Sequence, residues 1–421
     1  MGRDHSEQAT YGQVFAIREF RALWGAQVLS LLGDQLAQVA LAVLVYNRTG
    51  SPLLTALTYA LTYLPPILGG PLLAGLADVL PRRQVMIVTD LIRALLVGLM
   101  AIPGTPFPVL CVLLFFTVLL SAPFSAARAA ILPDVLPGDR YVLGSAVTNI
   151  TNQAAQVVGF LTGGGIVALL GTHQALALDA ATFLASALVL RAWLAERSAP
   201  GRSEGRPSLL ANVAAGTRLV FGDRRLRALV SFAWLCGFYV VPEGLAAPYA
   251  AALGGGPVTV GLLMAAMPIG TVVGLFAFGR FVSPPRRLRM MGTLALLASA
   301  PLVFSALQPA LPVTLALWVL AGAGSSYQLA ANTAFMITVP PSDRGQAFGL
   351  VQPGMLAAQG LGIVLAGMVA EFVGPELTVA LFGMAGLSVT AVLALNWNRV
   401  VAHVPGAASD DGPQPEGAPS A

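Results

Sequence analysis

The residues of this chain able to do chemistry are ionisable and amide side chains set inside long apolar runs. Asp34 lies about halfway along the run 22–46, with Gln27 seven residues before it and Gln38 four after. That spacing puts all three on one helical face. An ionisable group at the centre of a bilayer costs about 2.5–3.5 kcal/mol even on lenient scales, so it marks a functional site. Such a carboxyl suits reversible binding of a proton; the competing reading is an Asp that hydrogen-bonds a neighbouring helix for stability. Asp179 and Glu243 are further candidates for binding a proton or a cation, and either equally suits a solvated vestibule. Glu243 follows Pro242, where backbone groups are freed and a helix bends. Asp90 and Arg93 stand three residues apart in another run, spaced for an internal pair, and Arg128 closes the next run near Asp78. These charges read as gating or structural groups rather than solute ligands.

Uncharged polar residues form a second set. Asn149, Gln153 and Gln156 share a stripe with Asn152 beside it, and Ser325, Tyr327, Gln328 and Asn332 recur later in the chain. Amides suit a bulky solute of mixed polarity better than a small ion. Tyr59, Tyr63, Trp234, Tyr239, Met264 and Met267 offer adaptable apolar contacts, or else simply pack. Several chemistries lack their residues. No Gly-x-x-x-x-Gly-Lys-Ser/Thr loop is present, which excludes ATP hydrolysis of the usual kind. His5, His173 and His403 are scattered, so no metal site is expected. No enzyme site of the Ser-His-Asp or paired-carboxylate kind is suggested, and Cys111 and Cys236 sit in apolar runs rather than a disulfide framework. The expected drive is an ion gradient, with no cofactor.

The elements that must position these groups follow from composition. Of 421 residues, 56% are hydrophobic and 10% charged, and the mean hydropathy is +0.78. A soluble domain needs roughly 25% charged residues to cover its surface, so most of this exterior faces lipid. About twenty helical residues cross the hydrocarbon. Twelve spans are predicted, at about 22–46, 53–74, 84–103, 107–129, 143–170, 174–194, 226–250, 258–280, 289–307, 311–334, 348–373 and 377–398. Residues 1–194 form an N-terminal six-helix half, 195–225 a polar central loop, 226–398 a C-terminal half and 399–421 a polar, disordered tail. All 23 basic residues are Arg, and with the N-terminus inside nearly all fall in cytoplasmic loops; Arg48 is outside and Arg93 within a span. That bias fits an even span count with both termini cytoplasmic. It also removes nucleic acid as a partner of the net charge of +4.

An internal repeat organises the spans. Adding 204 to first-half positions carries Gly33 to Gly237, Pro81-Arg82-Arg83 to Pro285-Arg286-Arg287, and Pro137, Asp139 and Arg140 to Pro341, Asp343 and Arg344. Chance matches of Gly are common in apolar sequence; matched Pro-Arg-Arg and Pro-x-Asp-Arg loops are not. Parallel repeats related by an axis along the membrane normal describe a transporter that rocks about a midplane site. Duplication for bundle stability alone is the plainer alternative.

The sequence also resembles a known family. Phe20-Arg21-Ala22-Leu23-Trp24 followed by Ser30-Leu31-Leu32-Gly33-Asp34 looks like the first helix of bacterial macrolide-efflux and enterobactin-exporter types within the major facilitator superfamily. Leu76-Ala77-Asp78 and Arg82-Arg83 match that superfamily's Gly-x-Leu-Ala-Asp-Arg-x-Gly-Arg-Arg signature. Ala74, Val79 and Pro81 depart from it at the first Gly, the Arg and the second Gly. Gly159-Phe160-Leu161-Thr162-Gly163-Gly164 is similar to the Gly-Pro-x-x-Gly-Gly antiporter signature, with Phe160 for the Pro; close helix packing is the other reading of Gly159, Gly163 and Gly164. The resemblance spans about residues 15–398. It implies an all-α membrane protein of twelve transmembrane helices in two pseudo-symmetric bundles, with a cytoplasmic gate at Asp78, Arg82, Arg83, Asp90, Arg93 and Arg128. The two arginines of the loop serve equally as topology anchors. The expected function is proton-coupled export of a hydrophobic or amphiphilic small molecule such as a drug, siderophore or secondary metabolite. Uptake by the same fold and a non-transporting receptor or assembly factor are the alternatives. The protein is expected as a monomer in the inner (plasma) membrane, its partners being the solute and the lipid bilayer.

Overall fold

The computed structural model describes residues 10–73, 76–197 and 209–401, and every regular element among them is helical. Ten helical stretches are long and apolar enough to cross a bilayer unaided. Two more crossings miss that measure for physical reasons. Arg82–Met100 carries Arg82, Arg83, Asp90 and Arg93 within 19 residues. The second crossing is interrupted between Pro52–Ala60 and Leu64–Leu73. Twelve crossings result, in two pseudo-symmetric six-helix bundles. They are α1 (Arg18–Thr49), α2 (Pro52–Ala60 with Leu64–Leu73), α3 (Arg82–Met100), α4 (Phe107–Val135), α5 (Asp139–Leu170) and α6 (Thr172–Trp193) in the first half. The second half holds α7 (Arg224–Gly244, continued by Ala246–Ala252), α8 (Pro257–Phe281), α9 (Arg286–Leu307), α10 (Leu311–Thr338), α11 (Arg344–Val373) and α12 (Pro375–Val401).

Local sequence sets the ends of these helices. Gly50 leaves α1 in the left-handed region (φ 63°), and Ser51 then caps α2, accepting from the Leu54 amide at 3.2 Å with Pro52 in the first turn. A single glycine at positive φ joins α5 to α6 (Gly171, 90°) and again α11 to α12 (Gly374, 83°). The repeat also extends to irregularities: α4 breaks at Leu120 and α10 at Ser325–Ser326.

Two segments differ from expectation. The stretch 195–225 reads as a polar loop, yet Leu209–Gly222 is a helix packed on α11, with Gly216 against the Gln346 carbonyl. The helix is only 14 residues long, too short to span and flanked by arginines, so a polarity reading passes over it. Residues 198–208 lie outside the described residues. At the C-terminus α12 continues through Arg399 to Val401; the remainder of the tail expected to be disordered, 402–421, also lies outside them.

Within the first half α1 packs on α5 and α6, and α3 on α6; α7 on α11 and α9 on α12 repeat the plan. The halves meet along α5–α8 and α2–α11. Alternation of the crossings puts the loops after α2, α4, α8 and α10 at one end, the Arg-rich end, and the loops near Thr49, Pro103 and Gly254 at the far end. The closest contacts between halves lie toward the far end. A Cβ on Gly164 would sit 2.8 Å from the Pro257 carbonyl oxygen and 3.0 Å from Gly261 Cα, and one on Gly367 would sit 2.6 Å from Ala56 Cβ. Ser51 Oγ and the Leu53 amide, from α2, both donate to Glu371 of α11 at 3.1 Å.

Gly164→Leu is therefore expected to wedge α5 from α8 and open the far end. A cysteine placed at Ser51 should react faster with an impermeant maleimide in that variant. Unchanged labelling would show that the glycine contact does not hold the halves together.

Candidate functional site

Charged groups gather where α1, α3, α4 and α6 meet. The Arg93 side chain, 3% exposed, is satisfied on three sides. Its Nη2 donates to Asp34 Oδ1 at 2.7 Å, Nη1 to Ser30 Oγ at 3.1 Å and Nε to the Thr117 carbonyl at 3.2 Å. The Phe183 ring lies beneath the guanidinium, 4.1 Å from its centroid, a cation–π geometry. Asp179 of α6 is buried beside Gly33 of α1, where a Cβ would collide with the Asp179 and Thr182 side chains. Asp90 is fully buried; one of its oxygens accepts from Ser186 Oγ at 2.5 Å, and Oδ1 has no hydrogen-bond partner. Asp179, Thr182, Phe183 and Ser186 recur at helical spacing, so one face of α6 walls the cluster.

The spacing of Asp90 and Arg93 suggests a pair within α3, whereas Arg93 turns to α1 and Asp90 to α6. Reaching across gives the guanidinium a carboxylate, a hydroxyl and a carbonyl together, which a partner on its own helix does not. Asp34 opens onto a cavity of about 240 Å³ that Gln38, Thr58, Tyr59, Arg93 and Asp179 also line.

Nearer the Arg-rich end, polar residues brace the first half. Arg128 donates to Gln27 Oε1, Gln27 Nε2 to Asn152 Oδ1 at 2.5 Å, and Trp24 Nε1 to Thr151 Oγ1 at 2.9 Å. Gln27 and Asn152 thus tie α1, α4 and α5 together, and Arg128 takes an amide as its partner. The side chain of Asp78, on the short helix Leu76–Val79, lies outside the described residues. Arg82 pairs with Asp134 at 3.0 Å and donates to the Ala130 carbonyl at 2.8 Å. Arg83 donates to the Arg191 carbonyl at 2.5 Å and faces Glu196 at 3.7 Å, while Glu19 and Arg197 pair at 2.8 Å. All these partners belong to the same half or the segment just after it. Asp134 and Glu196 went unread because both are polar loop-end residues, which any membrane protein carries.

A second cavity, of about 310 Å³, lies between the halves. Gln153 and Gln156 reach it from α5, Tyr239 and Glu243 from α7, Gln328 from α10 and Gln359 from α11. Gln328 Nε2 donates to Tyr239 Oη, which lies 3.4 Å from Tyr327 Oη; Tyr327 in turn donates to the Phe232 carbonyl at 2.8 Å. Glu243 is 8% exposed and accepts from Tyr59 Oη of the other half at 2.6 Å. Pro242 interrupts α7 just before it. Asn332 joins Gln328 on a separate cavity of about 220 Å³ inside the second half, and Asn149 is exposed away from both. Gly159 and Gly163 bring α5 against Gln35 and Leu36 of α1, and Gly164 makes the far-end contact. Gln359 was missed by the sequence reading, although the test that picked out Gln328 (an amide inside an apolar run) also selects it. Among the described residues no group of three or more His, Cys, Asp or Glu is arranged to hold a metal ion.

Paired helical bundles around a central cavity define a secondary-transporter fold. The Major Facilitator Superfamily model matches residues 23–246 and 243–417, and the chain belongs to that superfamily. It is 29% identical over 364 residues to the multidrug efflux pump Tap of Mycolicibacterium fortuitum, covering 82% of this chain and 88% of Tap. Macrolide efflux protein A of Streptococcus pyogenes is 21% identical, over 85% of this chain and 90% of its own length. Among solved structures, a bacterial homologue of the human lysosomal transporter Spinster, inward-facing and occupied, superposes with a TM-score of 0.71 at 17% identity, covering 90% of this chain and 96% of that one. A POT family transporter in complex with 5-aminolevulinic acid gives 0.72 at 11% identity, over 94% and 98%. The protein is a multi-pass membrane transporter of small molecules.

Removing Arg93 leaves its carboxyl partners without a counter-charge. Arg93→Met is expected to lower stability by about 3–5 kcal/mol. Adding Asp34→Asn should restore part of that loss, because the two substitutions act on one pair. Thermal unfolding of both variants in detergent tests this; strictly additive losses would argue against the coupling.

Proposed function

We propose that this protein is a proton-coupled exporter of hydrophobic or amphiphilic small molecules, working by alternating access in the inner (plasma) membrane. The observation that carries the reading is the pairing of two sites. An amide-lined cavity lies between the halves, and inside the first half Arg93 pairs with Asp34 while the buried carboxyls Asp90 and Asp179 stand near them. The cavity's polar and aromatic lining suits a solute of mixed polarity. The excess of carboxyls over arginine supports proton binding in the α1–α3–α6 cluster, since the first protons taken up there bring its charge closer to balance. Asp34 is the coupling residue by virtue of its contact with both Arg93 and the first-half cavity. Asp179 stands behind it. Export is favoured by the relatives, one a multidrug efflux pump and one a macrolide efflux protein.

The Arg distribution favours both termini in the cytoplasm. In that orientation the far end is periplasmic, and its glycine contacts hold the outward route shut. The Arg-rich end then carries the gate, with Arg82–Asp134 and Arg83–Glu196 bracing its rim. The chain acts as a monomer without a metal, cofactor, nucleic-acid partner or enzymatic step.

In proteoliposomes carrying the full chain, an imposed pH gradient is expected to drive erythromycin or ethidium against its own gradient. Asp34→Asn should abolish the response to the gradient while solute counterflow persists. Gradient-driven flux that survives in Asp34→Asn would sink the coupling assignment.

A further inference from the structure

Among the described residues that line the inter-half cavity, Glu243 is the only carboxyl, and no arginine or histidine lines it. Among the described residues the other buried carboxyls are Asp90 and Asp179, in the cluster with Arg93. Glu243 has no such cation: its hydrogen-bond partner is the Tyr59 hydroxyl, a neutral donor that satisfies one oxygen. A carboxyl only 8% exposed and short of a counter-charge is costly to ionise, and a cation entering the site competes with a proton to relieve that cost. The surroundings fit the rest of such a molecule. Tyr63 and Tyr239 add aromatic surface suited to a cation and to apolar groups, Met267 adapts to shape, and Gln153, Gln156 and Gln359 offer neutral hydrogen-bonding groups.

We propose that Glu243 is the recognition carboxylate of this cavity and that the transported class is an apolar molecule bearing a cationic nitrogen or an equivalent onium centre. The assignment rests on the export reading for its physiological meaning but concerns binding. The cation occupies the free side of the carboxylate while Tyr59 holds the other oxygen from across the halves. Solute charge is thereby sensed at the contact that ties α2 to α7. Uncharged solutes of similar shape fill the same walls without that interaction and bind more weakly.

Equilibrium dialysis of the full-length protein in detergent tests the assignment with a matched pair. Tetraphenylphosphonium is a permanent cation, and triphenylphosphine oxide is uncharged and of similar size. The wild-type protein is expected to bind the cation at least about tenfold more tightly. Glu243→Gln should erase that preference and keep binding of the uncharged compound, while Glu243→Asp, which retains the charge, should keep part of it. Equal wild-type affinity for the two compounds overturns the proposal whatever the variants do. Loss of both compounds alike in a monodisperse Glu243→Gln sample overturns it too, since the residue is then structural. A cation preference without gradient-driven flux of any tested solute would instead count against export and leave the Glu243 assignment standing.

Discussion

A guanidinium almost wholly buried in a lipid-embedded bundle has to be met by oxygen atoms fixed around it, because leaving its donors unpaired is costly. Arg93 imposes that requirement on four helices. Ser30 and Asp34 fix the rotation of α1, the Thr117 carbonyl fixes the height of α4, and Phe183 sets the face of α6. Gly33 belongs to the same constraint, since a side chain there would push α6 away and carry Asp179 out of the cluster. The shape of the first half follows in large part from keeping one charge satisfied.

The second half solves a different problem on the same backbone plan. Shifted by 204 residues, Asp34, Asp90, Arg93 and Asp179 correspond to Phe238, Leu294, Leu297 and Gly383. The ion cluster of one bundle is replaced by apolar packing in the other. Phe238 lies close to Gly386, where an added Cβ would come within 2.9 Å of it. Glu243 corresponds to Val39, so the charge on α7 also lacks a twin. Symmetry is thus kept in helix order, breaks and linking glycines, and given up in the polar groups. The polar groups divide accordingly: an arginine with its carboxyls in the first half, and in the second a cavity wall that shares its amides with α5.

The fold was legible because its signals repeat. Twelve apolar runs, an Arg bias and matched Pro-Arg-Arg loops each constrain the same architecture, so errors at single boundaries do not spread. The cluster was legible only as a set of members. Asp34, Asp90, Arg93 and Asp179 announce themselves as charges in apolar runs, but which carboxyl takes the arginine depends on helix rotation, which spacing along one helix does not determine. The grouping of the amides was harder still. Gln27 and Gln38 share a face with Asp34, yet Gln27 is drawn to Arg128 and Asn152 while Gln38 lines the cavity. A face several turns long meets different neighbours at different depths. The helix Leu209–Gly222 was hidden for another reason: it is too short to cross lipid, and its arginine neighbours dominate any window that contains it.

The same contrast in bonding explains where this molecule can move. Inside the first half, breaking the Arg93 network would strand several buried charges, at a cost of several kcal/mol. Between the halves, the far-end contact is made of glycines, backbone atoms and an exposed carboxylate, which water can replace at little cost. The exception is Tyr59–Glu243, a deeply buried bond across the seam, which contributes about 1.5–3 kcal/mol when the carboxyl is ionised. Any rocking that opens the far end has to release it. Because Tyr59 also lines the cavity that holds Asp34, the group released stands between the carboxyl cluster and the inter-half cavity. Occupancy on either side of that hydroxyl alters what the bond is worth, which is the physical requirement for one site to control the other.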